Sequence, residues 1–253
     1  MIFNQAEFNL RCEWGVQGVV QLAPISDVII IVDVLSFSTA TEIATNKGAI
    51  IYPYQWRDDS AIDYAKSVKA ELSQGRWAKE GYSLSPVSLT KIPAGTRLVI
   101  PSPNGSTLTL LTGNTPTIAG CLRNCAAVAK FAQKYGSKIS VIAAGEKWED
   151  GTLRPAFEDL IGAGAILSCL HGSLSPEAET AVTTFAAFQH DLLGYLKKCS
   201  SGKELIAKGY ELDVELAAAC NVSECVPLLI DKAYIKTLHP RGGDGVVGYR
   251  ERA

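Results

Sequence analysis

The sequence predicts an α/β protein, a layered mixed sheet flanked by helices, and three observations carry that prediction. β-Branched apolar runs alternate with helix-period segments through the first two thirds of the chain. Several of those runs end in a short Ser/Asn/Gly-rich turn that opens the next helix. With 253 residues, 47% of them hydrophobic, the chain can bury a substantial core without metal or disulfide staples.

Taken in order, residues 28–34 form the first strand, which opens with a run of five apolar residues between Asp27 and Asp33. A helix over 39–47, closed by Gly48, and a strand over 49–54 complete one βαβ unit. Residues 58–72 read as an amphipathic helix with Ile62, Ala65, Val68 and Leu72 at helical spacing. A strand over 97–101 leads into the tight turn 102–106 and a helix to 111; a short strand over 115–119 precedes a helix over 125–135 ending at Gly136. The next strand is 138–143. From residue 154 the pattern is mainly helical, over 155–170, 177–197, 202–208 and 212–220, with a last strand over 226–238 and a glycine-rich loop after His239. The chain reads as one compact unit of two closely packed α/β subdomains, with 91–95 as the hinge.

Composition excludes several classes. Lys and Arg total 24 against 26 Asp and Glu, with no block of like charge, which speaks against nucleic acid or an acidic membrane as partner. The longest apolar run is far too short to span a bilayer, and the first residues lack a basic, then apolar, secretory pattern. Seven cysteines without a C-x-x-C pair fit reduced thiols, so a soluble cytoplasmic protein is expected. Apolar-faced helices such as 177–197 leave a homodimer open as an alternative to internal packing.

The recurring junction of buried strand, polar turn and helix is where chemistry is expected. Ligands of α/β sheets bind beyond the carboxyl ends of strands, where helix N-termini present unpaired N–H groups to anions. The junctions are Ser36 to Thr39 with Ser38 between, Ser102 to Ser106 with Asn104 and Gly105, and Arg123-Asn124; a later polar turn holds Ser200, Ser201 and Gly202. These residue types also cap ordinary helices, so no single junction is diagnostic. Acids supply the second half of the site. Asp33 and Glu146 each follow an apolar strand, and Glu158 and Asp159 sit in an otherwise apolar helix. Acids so placed call for a pairing group or a cation, and Mg²⁺ suits one or two carboxylates completed by water and phosphate oxygens.

Competing schemes lack their parts. The residue two beyond Asp33 is Leu35, so the D-x-D of haloacid-dehalogenase phosphatases is missing. No cysteine has Arg six positions on, Ser201-Gly202-Lys203 does not complete a Walker A loop, and the three histidines are too scattered for a zinc signature.

In order along the chain, Val32-Asp33-Val34-Leu35 with its Ser/Thr turn, the 102–106 turn, Arg123-Asn124, Ala144-Gly145-Glu146, the 157–165 segment, and the 199–205 turn with Gly209-Tyr210 and Asp213-Val214 resemble the 2-phosphosulfolactate phosphatase (ComB-like) family. The resemblance implies an α/β fold of that family's own type. It also implies Mg²⁺-dependent hydrolysis of 2-phospho-3-sulfolactate to 3-sulfolactate and phosphate, as in coenzyme M biosynthesis. On that reading Asp33, with Glu146, Glu158 or Asp159, holds the metal, and Arg123 and the 104–106 turn hold the phosphoryl oxygens. The family pattern D-V-x-R-A departs here to Ser36-Phe37, which removes a guanidinium at the turn and puts substrate preference in question. Two alternatives stand beside it: a phosphatase for another small phosphorylated hydroxy acid, and a non-catalytic anion-binding homologue.

Overall fold

The computed structural model describes residues 2–78 and 80–237. The expected end of the last strand at 238 and the loop after His239 lie outside them. Among the described residues the strands are β1 (Leu10–Trp14), β2 (Val28–Val32), β3 (Ile50–Tyr54), β4 (Glu71–Leu72), β5 (Arg97–Pro101), β6 (Thr117–Gly120), β7 (Ile139–Ala143), β8 (Glu146–Lys147), β9 (Leu153–Arg154), β10 (Val226–Ile230) and β11 (Ala233–Thr237). Nine of them form one mixed sheet in the order β1-β7-β2-β6-β10-β11-β3-β5-β4, and β8 and β9 make a separate two-stranded ribbon.

The sheet consists of two parallel blocks joined by an antiparallel hairpin. β1, β7, β2 and β6 run together, as do β3, β5 and β4, and β10–β11 is inserted between the blocks. The hairpin touches each block through a single register pair, Leu228 with Ile118 and Tyr234 with Ile51. Such short seams let the sheet curl. The Gly105 N–H, just past β5, therefore reaches the Asp33 carboxylate, just past β2, and the carboxyl ends of both blocks meet.

β2 shows why its sequence reads as a central strand. All five residues are buried, and successive side chains serve opposite faces. Val28, Ile30 and Val32 pack into a cluster with Val128, Ile161 and Ile166, while Ile29 and Ile31 pack with Val19, Leu22 and Leu108. Helices thus cover both faces.

Three expected elements differ in the structure. The helix expected over 58–72 ends at Ser67: Lys69 takes a positive φ of 50°, and Glu71–Leu72 then pairs with Leu98 and Val99 as the edge strand β4. The helix expected over 177–197 breaks at Gln189–Asp191 into Pro176–Phe188 and Leu192–Lys198, where the Asp191 side chain caps the second piece through the Gly194 N–H. The last strand is a hairpin, because Asp231 and Lys232 both have positive φ, the backbone of a two-residue primed turn. In the segment expected as a hinge, Ile92 packs in the core and the Gly95 N–H bonds the Gly48 carbonyl. No helix among the described residues is long and apolar enough to cross a membrane.

Candidate active site

Where the blocks meet lies a cleft of about 560 Å³ lined by Asp33, Leu35, Ser36, Arg76, Trp77, Leu84, Ser102, Pro103, Asn104, Glu146, Ser201 and residues of the 204–210 segment. A larger hollow of about 690 Å³, lined by Tyr54, Tyr64, Thr115 and Lys232 among others, has Asp231 as its sole acid among the described residues. Size therefore does not decide the matter; the convergence of acids does.

Asp33 ends β2 and is held from two sides. Its Oδ1 accepts from the Phe37 N–H at 3.0 Å and its Oδ2 from the Gly105 N–H at 2.9 Å, each amide at the start of a helix. Burial raises its pKa, the two N–H groups oppose that rise, and the charge of Glu158 adds to it. The Ser38 hydroxyl accepts from the Asp33 N–H and donates to Ile31 O, fixing the strand end.

Glu146 opens the β8–β9 ribbon, and its Oε2 accepts from Asn104 Nδ2 at 2.8 Å. Burial, with the Asp33 charge second, pushes its carboxyl up to about 7. Asp159 sits behind the pair, tying two strand-end turns together by accepting from the Val34 N–H at 2.7 Å and the Gly145 N–H at 2.8 Å. Burial and the charges of Asp33 and Glu158 hold it well above the ordinary carboxylate range. Glu158 is buried beside Cys199, whose thiol is pushed up to about 12 by burial and then by the Glu158 charge. The four acids expected from sequence thus form one electrostatic group, with Asp33 and Glu146 on the cleft wall.

The remaining expected residues divide. Ser36, Ser102 and Ser201 line the cleft with Asn104, and Gly105 acts through its N–H on Asp33. Thr39 donates to Val34 O, Ser106 to Ile100 O, and Asn124 spans Cys121 N–H, Ala119 O and Cys225 O, so these side chains serve the backbone. Ser200 is exposed, and the Gly202 N–H is taken by Cys199 Sγ at 3.3 Å. Arg123 does not reach the cleft. Its Nε donates to Glu42 Oε2 at 2.6 Å and its Nη1 to Leu216 O, because Glu42 is fully buried and an unpaired carboxylate there would be costly.

The guanidinium at the cleft comes from a residue that sequence reasoning missed. Arg76 Nη2 donates to Ser36 Oγ at 2.7 Å and Leu84 O at 3.3 Å, and Nη1 donates to Asp213 Oδ2 at 2.7 Å. Asp213, also buried, accepts from Ser85 Oγ and the Val87 N–H through Oδ1, and the Tyr210 ring lies under the guanidinium at 5.5 Å. Ser36 is thus the hydroxyl that meets Arg76. Phe37 is a core residue, fully buried against Gly105 and Tyr234.

The raised Glu146 carboxyl has a consequence for stability. Below its ordinary value of 4.5 the group is protonated folded or unfolded. As pH rises towards 7 the unfolded chain gives up that proton while the folded protein resists, so folded stability falls across this window. That rise sets a ceiling of about 3 kcal/mol, and partial exposure brings it to roughly 1–2 kcal/mol. Glu146→Gln should therefore melt higher than wild type at pH 7.5 and equally at pH 4.5. Calorimetry showing no gain at pH 7.5, or the same gain at both, would contradict the assignment.

Comparison with known proteins bears on what such a cleft does. The family model described as 2-phosphosulpholactate phosphatase matches residues 17–232. A 2-phosphosulfolactate phosphatase of Methanothermobacter thermautotrophicus is 27% identical over 210 residues, covering 81% of this chain and 88% of that protein. A probable 2-phosphosulfolactate phosphatase of a Synechococcus is 29% identical over 206 residues (76% and 84%), and one of Thermotoga maritima 25% over 225 (85% and 96%). With a match running from the first helix to the final hairpin and across every cleft-forming segment, the chain belongs to the 2-phosphosulpholactate phosphatase family.

Proposed function

We propose that this protein is a phosphoric monoester hydrolase that releases phosphate from 2-phospho-3-sulfolactate, with Mg²⁺ bound through Asp33 and Glu146. One observation carries the reading: two carboxylates with raised pKa face a cleft of small-molecule size, in a family whose named members are phosphatases.

The donor set fits the metal. Among the described residues no three His, Cys, Asp or Glu side chains are grouped as a ready-made cage. A hard cation content with two carboxylates, its remaining positions filled by water and phosphate oxygens, matches what Asp33 and Glu146 offer. Each has spare lone pairs after its N–H or amide bonds. When bound there, Mg²⁺ neutralises charge on the transferring phosphoryl group.

The chain's own residues do the rest. The Phe37 and Gly105 N–H groups keep Asp33 in one orientation, and Asn104 does the same for Glu146. Asp159 locks the turns after β2 and β7, so the two cleft acids stay in register. Leu35, Leu84 and Leu205 supply apolar wall that limits water around the ester. The coenzyme M route of the family resemblance supplies the physiological setting.

Phosphate release from 2-phospho-3-sulfolactate tests the reading. Turnover should stop with chelator and return with Mg²⁺, and a panel of other phosphorylated hydroxy acids should be hydrolysed more slowly. Equal rates with and without chelator would remove the metal, and no release in either would remove the substrate. Because the acids must shed protons to bind a cation, calorimetric titration of Mg²⁺ near pH 6.5 should also release protons to buffer.

A further inference from the structure

We propose that Arg76 is a catalytic residue of this site, receiving nonbridging oxygens of the transferring phosphoryl group, and that Asp213 is the positioning residue that aims it. The inference deepens the phosphatase reading and rests on it.

The geometry is that of a guanidinium held on several sides and left open on one. Asp213 takes an N–H of Nη1, Ser36 and Leu84 take those of Nη2, and Tyr210 lies beneath the plane. A guanidinium has five N–H donors, so two are without a protein acceptor among the described residues while the side chain lines the cleft. Asp213 is committed: one oxygen serves Arg76 and the other serves Ser85 and Val87, which ties the loop carrying Arg76 to the helix Glu211–Ala218. An ion pair meant only to join these segments would not require its cation to face the cleft beside Asp33.

Charge balance supports the same assignment. A phosphate dianion entering this cleft meets Asp33 and Glu146, and among the described residues the lining cations are Arg76 and the largely exposed Lys208, itself paired with Glu204. Arg76 is the desolvated one, with 17% of its side chain exposed. A fixed planar fork in such surroundings binds phosphate oxygens more strongly than a solvated ammonium does. Over one turnover a water oxygen bonds to phosphorus, the ester P–O bond breaks, and the hydroxy acid leaves protonated beside inorganic phosphate. Arg76 keeps its proton throughout and holds oxygens whose charge the reaction redistributes.

The test combines turnover with binding that needs no turnover. Arg76→Ala should lower kcat/KM by about 10²- to 10³-fold, abolish thermal protection by inorganic phosphate, and regain activity when guanidinium is added. Arg76→Lys should remain well below wild type because it keeps the charge and loses the fork. Asp213→Asn should lower kcat/KM roughly tenfold and weaken protection by phosphate. An Arg76→Ala protein that is folded, hydrolyses within threefold of wild type and still binds phosphate would overturn the proposal and leave the phosphatase reading intact. A wild type with no turnover whose phosphate protection disappears in Arg76→Ala would overturn that reading and keep the anion receptor. Absence of both turnover and protection in wild type would overturn both.

Discussion

Asp33→Asn is expected to reduce phosphate release by about 10³-fold or more, equivalent to roughly 4 kcal/mol of barrier, while the protein stays folded. The substitution keeps the shape of the side chain and removes the charge that a cation would need. It also places an amide NH₂ where one oxygen now accepts from the Phe37 or Gly105 N–H, so one of those bonds is lost. The lost bond costs stability, but removing a fully buried charge with raised pKa offsets it, so the melting temperature should move little. Steady-state phosphate release paired with calorimetry separates the two effects. Near wild-type release from a folded Asp33→Asn protein would exclude Asp33 as a metal ligand.

Gly105→Ala should be strongly damaging. A Cβ at this position would lie 2.4 Å from Phe37 Cδ1 and 2.7 Å from its Cβ and Cγ. Phe37 is fully buried with Tyr234 behind it, the ring centroids 6.1 Å apart, so the ring has nowhere to retreat. Overpacking of that kind costs about 3 kcal/mol, which lowers the melting temperature by roughly 6–12 °C in a protein of this size. Any shift that relieves the clash also moves the Gly105 N–H from Asp33, so activity should fall with stability. Phe37→Leu in the Gly105→Ala background should recover part of the loss, and the double-mutant cycle reads that coupling. An unchanged melting temperature for Gly105→Ala would show that the contact is not as tight as the geometry implies.

The legible parts of this protein share a physical character. β2 could be read because five consecutive apolar residues between acids have few alternatives to a central strand, and 97–101 was bounded by its neighbours in the same way. Asp33, Glu146, Glu158 and Asp159 stood out because acids beside apolar runs carry a desolvation cost that needs explaining. β1 and the helix after it carry no such signal. β1 contains Arg11, which is buried with its guanidinium bonded to Phe8 O, Ile25 O and Ala6 O, and a charge at a core position hides the alternation. In sequence the hydroxyls of Ser38, Thr39 and Ser106 and the amide of Asn124 look like ligand groups, because turn chemistry and anion chemistry use the same residue types; the structure gives them to the backbone.

The sequence by itself determined the α/β class, the strand-to-helix junctions, the group of acids and the family, since each depends on local periodicity or on short motifs in order. Tertiary structure alone decided which guanidinium serves the cleft. Arg123 was drawn away by the buried carboxylate of Glu42, and Arg76 was brought in through contacts to Ser36 and Asp213, residues 40 and 137 positions distant. No local pattern can encode such pairings, because they exist only once the sheet has curled and buried charges have found their partners.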